Sequence, residues 1–286
     1  KRGYQKVMKY LVTGGAGFVG SNLIEKLLRD NHEVVCIDNY STGKKENEID
    51  GCTYYDIDLL KWGEDVTFLP KPDVIFHLAA EVASIDYSYE EPYKTLNTNI
   101  DGTMRVCEYA RRNKIKVVFA SSCAVTDGDD LNIYAYSKSK AEDICKAYNH
   151  FFGLSVAIVR FANVYGKRQR GEGPYRSVIS IFDECYQKDK SLPIRGDGEQ
   201  TRDFINVRDI SRGLIDISKL HSNADIFRLG TGKSISINDV AKIYGLPIHH
   251  VSERGGESKE SHTDLSKNLF DFQTKYTIQD WVDNLR

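Results

Sequence analysis

The sequence is most informative at first through what it has little of. No apolar run comes near the roughly 20 residues that cross a bilayer, so a helical membrane span is not expected. The first six residues, Lys1 to Lys6, lead straight into the strand-like Val7 to Val12. They lack the separate apolar stretch and small-residue cleavage site of a secretory signal, and a cytoplasmic location is the expectation. Charge of one sign is not in excess: 39 Lys and Arg face 41 Asp and Glu. Nothing in that balance favours nucleic acid or an anionic membrane as partner. The six cysteines (Cys36, Cys52, Cys107, Cys123, Cys145 and Cys185) include no CxxC pair and sit mostly in apolar or amphipathic segments. Buried free thiols are expected, rather than a disulfide framework or zinc, and no metal is assigned.

What remains is an ordinary globular composition, 41% hydrophobic and 28% charged over 286 residues. That is enough chain for one large core or two closely packed lobes. The first half alternates short apolar runs with helical patterns. Strands are expected over Val7 to Thr13, Glu33 to Asp38, Asp73 to His77, Lys116 to Ala120 and Ser155 to Arg160. Helices are expected over Gly17 to Asp30, Asp101 to Arg112 and Tyr134 to Phe152. Strand and helix taking turns predicts an α/β fold whose parallel sheet is covered on both faces. After about residue 165 the rhythm loosens, Pro and Gly cluster at 171–174 and 193–198, and helices are expected over Arg176 to Gln187, Val207 to Lys219 and Ile237 to Tyr244. This division predicts a first unit over 1–164 and a smaller lobe over 165–286, interleaved with it. Neither an internal repeat nor a low-complexity tail is present.

Between the first strand and helix lies Gly14-x-x-Gly17-x-x-Gly20. Glycine permits the tight turn, lets backbone N–H groups approach a pyrophosphate, and lets helix and strand pack closely. Asp38 ends the second strand 18 residues after Gly20. A carboxylate there accepts both ribose hydroxyls of an adenosine and repels a 2′-phosphate, so NAD is expected over NADP. Asp56-Ile57 follows a third strand-like segment and offers a carboxylate to the adenine amino group. His77-Leu78-Ala79-Ala80 ends a further strand with small residues beside the cofactor.

Tyr134 and Lys138, four apart at a helix start, share one face. A phenol is a poor base near pKa 10, but a neighbouring ammonium and a bound pyridinium favour the phenolate. Ser121 and Ser122 stand at a strand's carboxyl end, where a hydroxyl orients proton transfer to a substrate oxygen.

These residues resemble the extended short-chain dehydrogenase/reductase family, in its NAD-dependent nucleotide-sugar epimerase/dehydratase branch. The resemblance runs through TGGAGFVGSNL from Thr13, DNYSTG from Asp38, HLAA from His77, NTNIDGT from Asn97, ASS from Ala120 and YAYSK from Tyr134. It continues with RFANVYG from Arg160, GDGEQTRDFINVRD from Gly196 and RGGE from Arg254. It implies a Rossmann-type doubly wound parallel sheet with a smaller substrate-binding lobe. It also implies NAD held by Gly14, Gly17, Phe18, Val19, Gly20, Asp38, Asn39, Ser41, Thr42, Gly43, Asp56, Ile57, Leu78, Ala79, Ala80, Tyr134 and Lys138. Tyr134 resembles the catalytic base/acid, Lys138 its electrostatic partner, and Ser122, rather than Ser121, the substrate-oxygen hydroxyl. Asn163, Arg202 and Arg254 resemble residues that face the nucleotide diphosphate.

The implied substrate is a nucleotide sugar, in first place UDP-linked, and the implied reaction a 4-epimerisation through a transient 4-keto sugar, with UDP-glucose and UDP-galactose as the preferred pair. Other nucleotide-sugar epimerisations and 4,6-dehydration are the alternatives, and a noncatalytic NAD-binding protein is a third. Dehydratases of the family place Asp-Glu after a Thr in the serine motif, whereas this chain has Ser122-Cys123-Ala124. Two departures stand out: the motif continues Val125-Thr126-Asp127-Gly128 instead of Val-Tyr-Gly, and only 11 residues separate Ser122 from Tyr134. The helices Asp101 to Arg112 and Tyr134 to Phe152 resemble those of the family's dimer interface, which implies a homodimer.

Overall fold

A computed structural model describes residues 6–62, 69–82, 85–125, 132–169, 171, 176–253 and 259–285. The chain begins with β1 (Lys9–Thr13), α1 (Phe18–Arg29), β2 (Glu33–Asp38), β3 (Thr53–Asp56) and β4 (Val74–His77). Next come α2 (Ile85–Glu90), α3 (Pro92–Asn113), β5 (Lys116–Ser122), α4 (Ile133–Phe152) and β6 (Val156–Phe161). Beyond these lie β7 (Asn163–Tyr165), α5 (Val178–Gln187), β8 (Leu192–Arg195), β9 (Thr201–Asn206), α6 (Val207–Lys219) and β10 (Asn223–Leu229). The last elements are β11 (Ser234–Ser236), α7 (Ile237–Tyr244), β12 (Ile248–Val251), β13 (Glu260–Ser261) and α8 (Ile278–Asp283).

Seven strands form one parallel sheet in the order β10-β6-β5-β4-β1-β2-β3. Strand periodicity explains why both faces are covered. Tyr10, Val12, Phe76, Val118 and Val159 point to one side, where Leu23 and Leu27 of α1 and Leu214 of α6 close the core. Their neighbours Leu11, Ile75, Val117, Phe119 and Ile158 point to the other, under Val106 and Ala110 of α3 and Ala141 and Cys145 of α4. With both faces buried, these strands are near-continuous apolar runs instead of alternating ones. The fold is thus a Rossmann-like doubly wound sheet with a smaller second lobe. In such a sheet the order reverses between β1 and β4, and ligands bind outside the carboxyl ends at that switch point.

The residues after 165 divide between two layers. Helix α6 and strand β10 complete the large sheet's unit, while β8 with β12, and β9 with β7, β11 and β13, make two small sheets. The small lobe has its own core of Tyr165, Ile179, Phe182, Ile194, Val240 and Val282. All six cysteines are free thiols, and Cys36, Cys107 and Cys145 are buried. No helix among the described residues is long and apolar enough to cross a membrane.

Candidate active site

A cavity of about 480 Å³ opens along the carboxyl ends of the large sheet. One end is built from the turn between β1 and α1. Gly14 has φ +75, and a side chain there would bring Cβ to 2.7 Å from the Ala79 backbone nitrogen. At Gly20 a Cβ would stand 2.3 Å from the Gly14 carbonyl oxygen. Both close approaches require glycine, so the turn can neither move away from the end of β4 nor separate from α1. The first N–H groups of α1 have no intrahelical acceptor and carry the positive end of the helix dipole. Gly14, Gly17, Phe18, Val19 and Gly20 all line the cavity.

Asp38 is buried at this end, with Oδ2 accepting from the Ala16 N–H and Oδ1 from the Tyr40 N–H, each at 2.9 Å. These bonds fix the carboxylate at this end of the cavity. Asn39, Ser41 and Thr42 continue the lining; Gly43 does not line it but packs on the Asp38 carboxylate, where a Cβ would stand 2.9 Å from Oδ1. The third strand divides its acids between the cavity and the outer surface. Asp56, expected at the adenine, is exposed and lies off the lining, whereas Ile57 and Asp58 line it. Asp58 caps a short helical turn, its Oδ1 accepting from the Leu60 N–H at 3.0 Å.

Leu78, Ala79 and Ala80 line the middle of the cavity. They are held from beneath by His77, whose ring bonds Thr13 Oγ1 at 2.8 Å and Thr103 Oγ1 at 3.1 Å. Burial pushes this imidazole down to about 3, so it is neutral and structural.

The other end brings Ser122, Tyr134 and Lys138 together on the lining. Helix α4 begins where Asn132 accepts a bond from the Ala135 N–H at 2.9 Å, which places Tyr134 in the first turn. Lys138 follows one turn later, is 3% exposed, and donates from Nζ to the Ala120 carbonyl at 2.9 Å. Burial pushes Lys138 down to about 8. It pushes the Tyr134 phenol up to about 12, against the hydrogen bond with the Ser122 hydroxyl, which acts in the other direction. The two adjacent serines separate clearly. Ser121, though it borders the cavity, donates to Glu142 Oε1 at 2.6 Å. Glu142 in turn is gripped by two bonds from Arg160 at 2.8 and 2.9 Å. Ser122 is the serine bonded to the tyrosine.

Toward the small lobe, Asn163 lines the cavity and its Nδ2 donates to the Asp203 carbonyl at 3.1 Å. Arg202 does not line the cavity; its Nη1 donates to the Thr201 carbonyl at 2.7 Å. Arg254 and the Thr126–Gly128 departure lie outside the described residues. Sequence reasoning missed Glu81, Lys94, Thr98, Gln169 and Ser177 on the lining. Each is a polar residue on a loop or a helix flank with no periodic signal of its own.

A cavity with a glycine-turn anion cradle at one end and a Tyr134/Lys138 pair with a buried lysine at the other defines a dinucleotide-dependent enzyme of the short-chain dehydrogenase/reductase type. The chain belongs to the NAD dependent epimerase/dehydratase family, whose model matches residues 10–230. It is 35% identical over 260 residues to a putative UDP-glucose 4-epimerase of Methanocaldococcus jannaschii, covering 86% of this chain and 83% of that one. It is 33% identical over 277 residues to a UDP-N-acetyl-alpha-D-glucosaminuronate decarboxylase of Bacillus cytotoxicus, covering 90% and 84%. Among solved structures, the UDP-glucose 4-epimerase of Thermotoga maritima with UDP-glucose superposes with a TM-score of 0.87 at 28% identity, covering 96% of each chain.

Proposed function

We propose that this chain is a nucleotide-sugar 4-epimerase that interconverts UDP-glucose and UDP-galactose. The observation that carries the reading is one continuous cavity lined by Asp38 and the glycine turn at one end and by Ser122, Tyr134 and Lys138 at the other. The likeness to the epimerases of M. jannaschii and T. maritima supports it.

NAD fits this cavity through the Gly14–Gly20 cradle and the Asp38 carboxylate, whose charge repels a 2′-phosphate. When bound, NAD supplies the hydride acceptor and donor, and its pyridinium charge favours the Tyr134 phenolate. Tyr134 would take the proton of the sugar C4 hydroxyl while bound NAD accepted the hydride from that carbon. Ser122 donates to that oxygen and keeps it against Tyr134. Lys138, a buried ammonium, stabilises the phenolate that starts the step. Once the keto sugar had turned over about its diphosphate link, Tyr134 would return the proton to the same oxygen. Asn163 on the lining would hold the nucleotide during that rotation, and the family resemblance gives Arg202 and Arg254 the same role. Dehydration is disfavoured because Cys123 and Ala124 stand where an acid pair is needed.

The same reading has the chain work as a homodimer through α3 and α4, where Tyr93, Met104 and Phe151 leave apolar surface exposed. The test is to follow UDP-glucose with the NAD-loaded protein by NMR. UDP-galactose with no net NADH is expected; a 4-keto-6-deoxy sugar, or an intact substrate beside folded NAD-bound protein, contradicts the proposal.

A further inference from the structure

Glu81 and Lys94 line the cavity and were not among the residues any motif pointed to. The Glu81 side chain is only 2% exposed, and its carboxylate meets Lys94 Nζ at 3.3 Å, the lysine itself being 44% exposed. Lys94 also donates to the Tyr87 hydroxyl at 3.1 Å and lies 5.7 Å from the centre of that ring. The backbone of Glu81 is clamped by Asn99, which accepts from its N–H at 2.8 Å and donates to its carbonyl at 3.2 Å. Asn99 donates in turn to Ser137 Oγ at 2.8 Å, and Ser137 Oγ donates to the Tyr134 carbonyl at 2.7 Å. Glu81 is therefore fixed two side chains away from the first turn of α4, at the reacting end of the cavity.

A carboxylate nearly out of water needs a counter-charge, and removing one partner of such a pair is costly. Among the described lining residues only Lys94 and Lys138 are cationic, and Lys138 is turned to Ala120. An anionic group brought to this wall by a ligand has to take Lys94 from Glu81 or lie beside a second carboxylate. A hydroxyl meets the opposite situation, since an ionised carboxylate is an acceptor only.

Resting on the nucleotide-sugar reading, we propose that the Glu81–Lys94 pair is a charge filter at the sugar end, selecting sugars with a neutral hydroxymethyl group over carboxylated sugars on the same nucleotide. The contrast bears directly on the family, because the similar B. cytotoxicus protein is named for a uronate substrate.

The test is calorimetric binding of UDP-glucose and UDP-glucuronate to the NAD-loaded protein and to its Glu81→Gln variant. The natural protein should prefer UDP-glucose by about tenfold or more, and Glu81→Gln should bring the two affinities to within about threefold. If Glu81→Gln fails to fold, Lys94→Gln tests the same pair from the other side and should widen the preference. Equal or tighter binding of UDP-glucuronate by the natural protein overturns the filter, as does a ratio unchanged in the variants. An intact preference without turnover of UDP-glucose contradicts the epimerase reading alone. Binding of neither ligand contradicts the nucleotide-sugar reading and the filter with it.

Discussion

The two ends of the cavity are built by different means. At the cofactor end, backbone geometry does the holding: Gly14 and Gly20 fit only as glycines, and Asp38 is fixed by two main-chain N–H groups. At the nucleotide-sugar end, side chains do it, and several are committed elsewhere. Arg202 is bonded to the neighbouring carbonyl of its own strand, and Lys94 to Glu81. The cofactor end is pre-formed, whereas the substrate end has charged groups that a ligand must recruit from existing partners. Pre-formed sites lose less on binding, so the first end sets cofactor choice rigidly and the second leaves room for sugar choice to vary. Relatives similar over most of this chain are named for epimerisation and for decarboxylation.

The comparison can be broken most severely at Tyr134. Replacing it with Phe removes one oxygen and the proton transfer with it, and kcat should fall by roughly three orders of magnitude. The fold should stay as it is by circular dichroism; a loss under tenfold would assign proton transfer to another group.

Lys138→Met should be almost as damaging to kcat and yet raise stability. A buried lysine lowered from 10.5 to about 8 binds fewer protons folded than unfolded. Stability of the ligand-free protein therefore rises with pH between about 8 and 10.5, and below pH 8 the charge costs up to roughly 3 kcal/mol. The Met variant should unfold at a higher temperature at pH 7 and lose that pH-dependent rise. Unfolding curves that coincide with the natural protein's would show that the ammonium is not buried at a cost.

How far these ends were legible in the sequence follows the same division. Strand β2 and helices α6 and α7 begin and end at the residues expected, because apolar period and terminal turn residues agree there. Helix α3 starts at Pro92, nine residues before the expected Asp101, because its first turns bury polar Thr95 and Asn99 and show no apolar stripe. The strands β7, β11 and β13 have three residues or fewer, too short for alternation to register. Asp56 and Asp58 illustrate the limit at residue level. Both are acids beside one strand end, and only the capping bond to Leu60 distinguishes the one that turns to the cavity.

A smaller effect is expected at Asp38. Its replacement with Ala should shift the ratio of NADP to NAD affinity toward NADP by about tenfold, measured by fluorescence titration. An unchanged ratio would mean that the carboxylate does not face the ribose. The mildest change should come from Arg202→Ala, raising KM for UDP-glucose by about tenfold or less with kcat unaltered, the mark of binding shared by ground and transition states. A fall in kcat of similar size would instead make the arginine part of the reacting centre.

The account stands most directly on transient oxidation at C4 and return of the same hydride. UDP-glucose carrying deuterium at C4 should give UDP-galactose that retains the label at C4, with no net NADH formed. Loss of the label to solvent, or its appearance at another carbon of a dehydrated sugar, would contradict it.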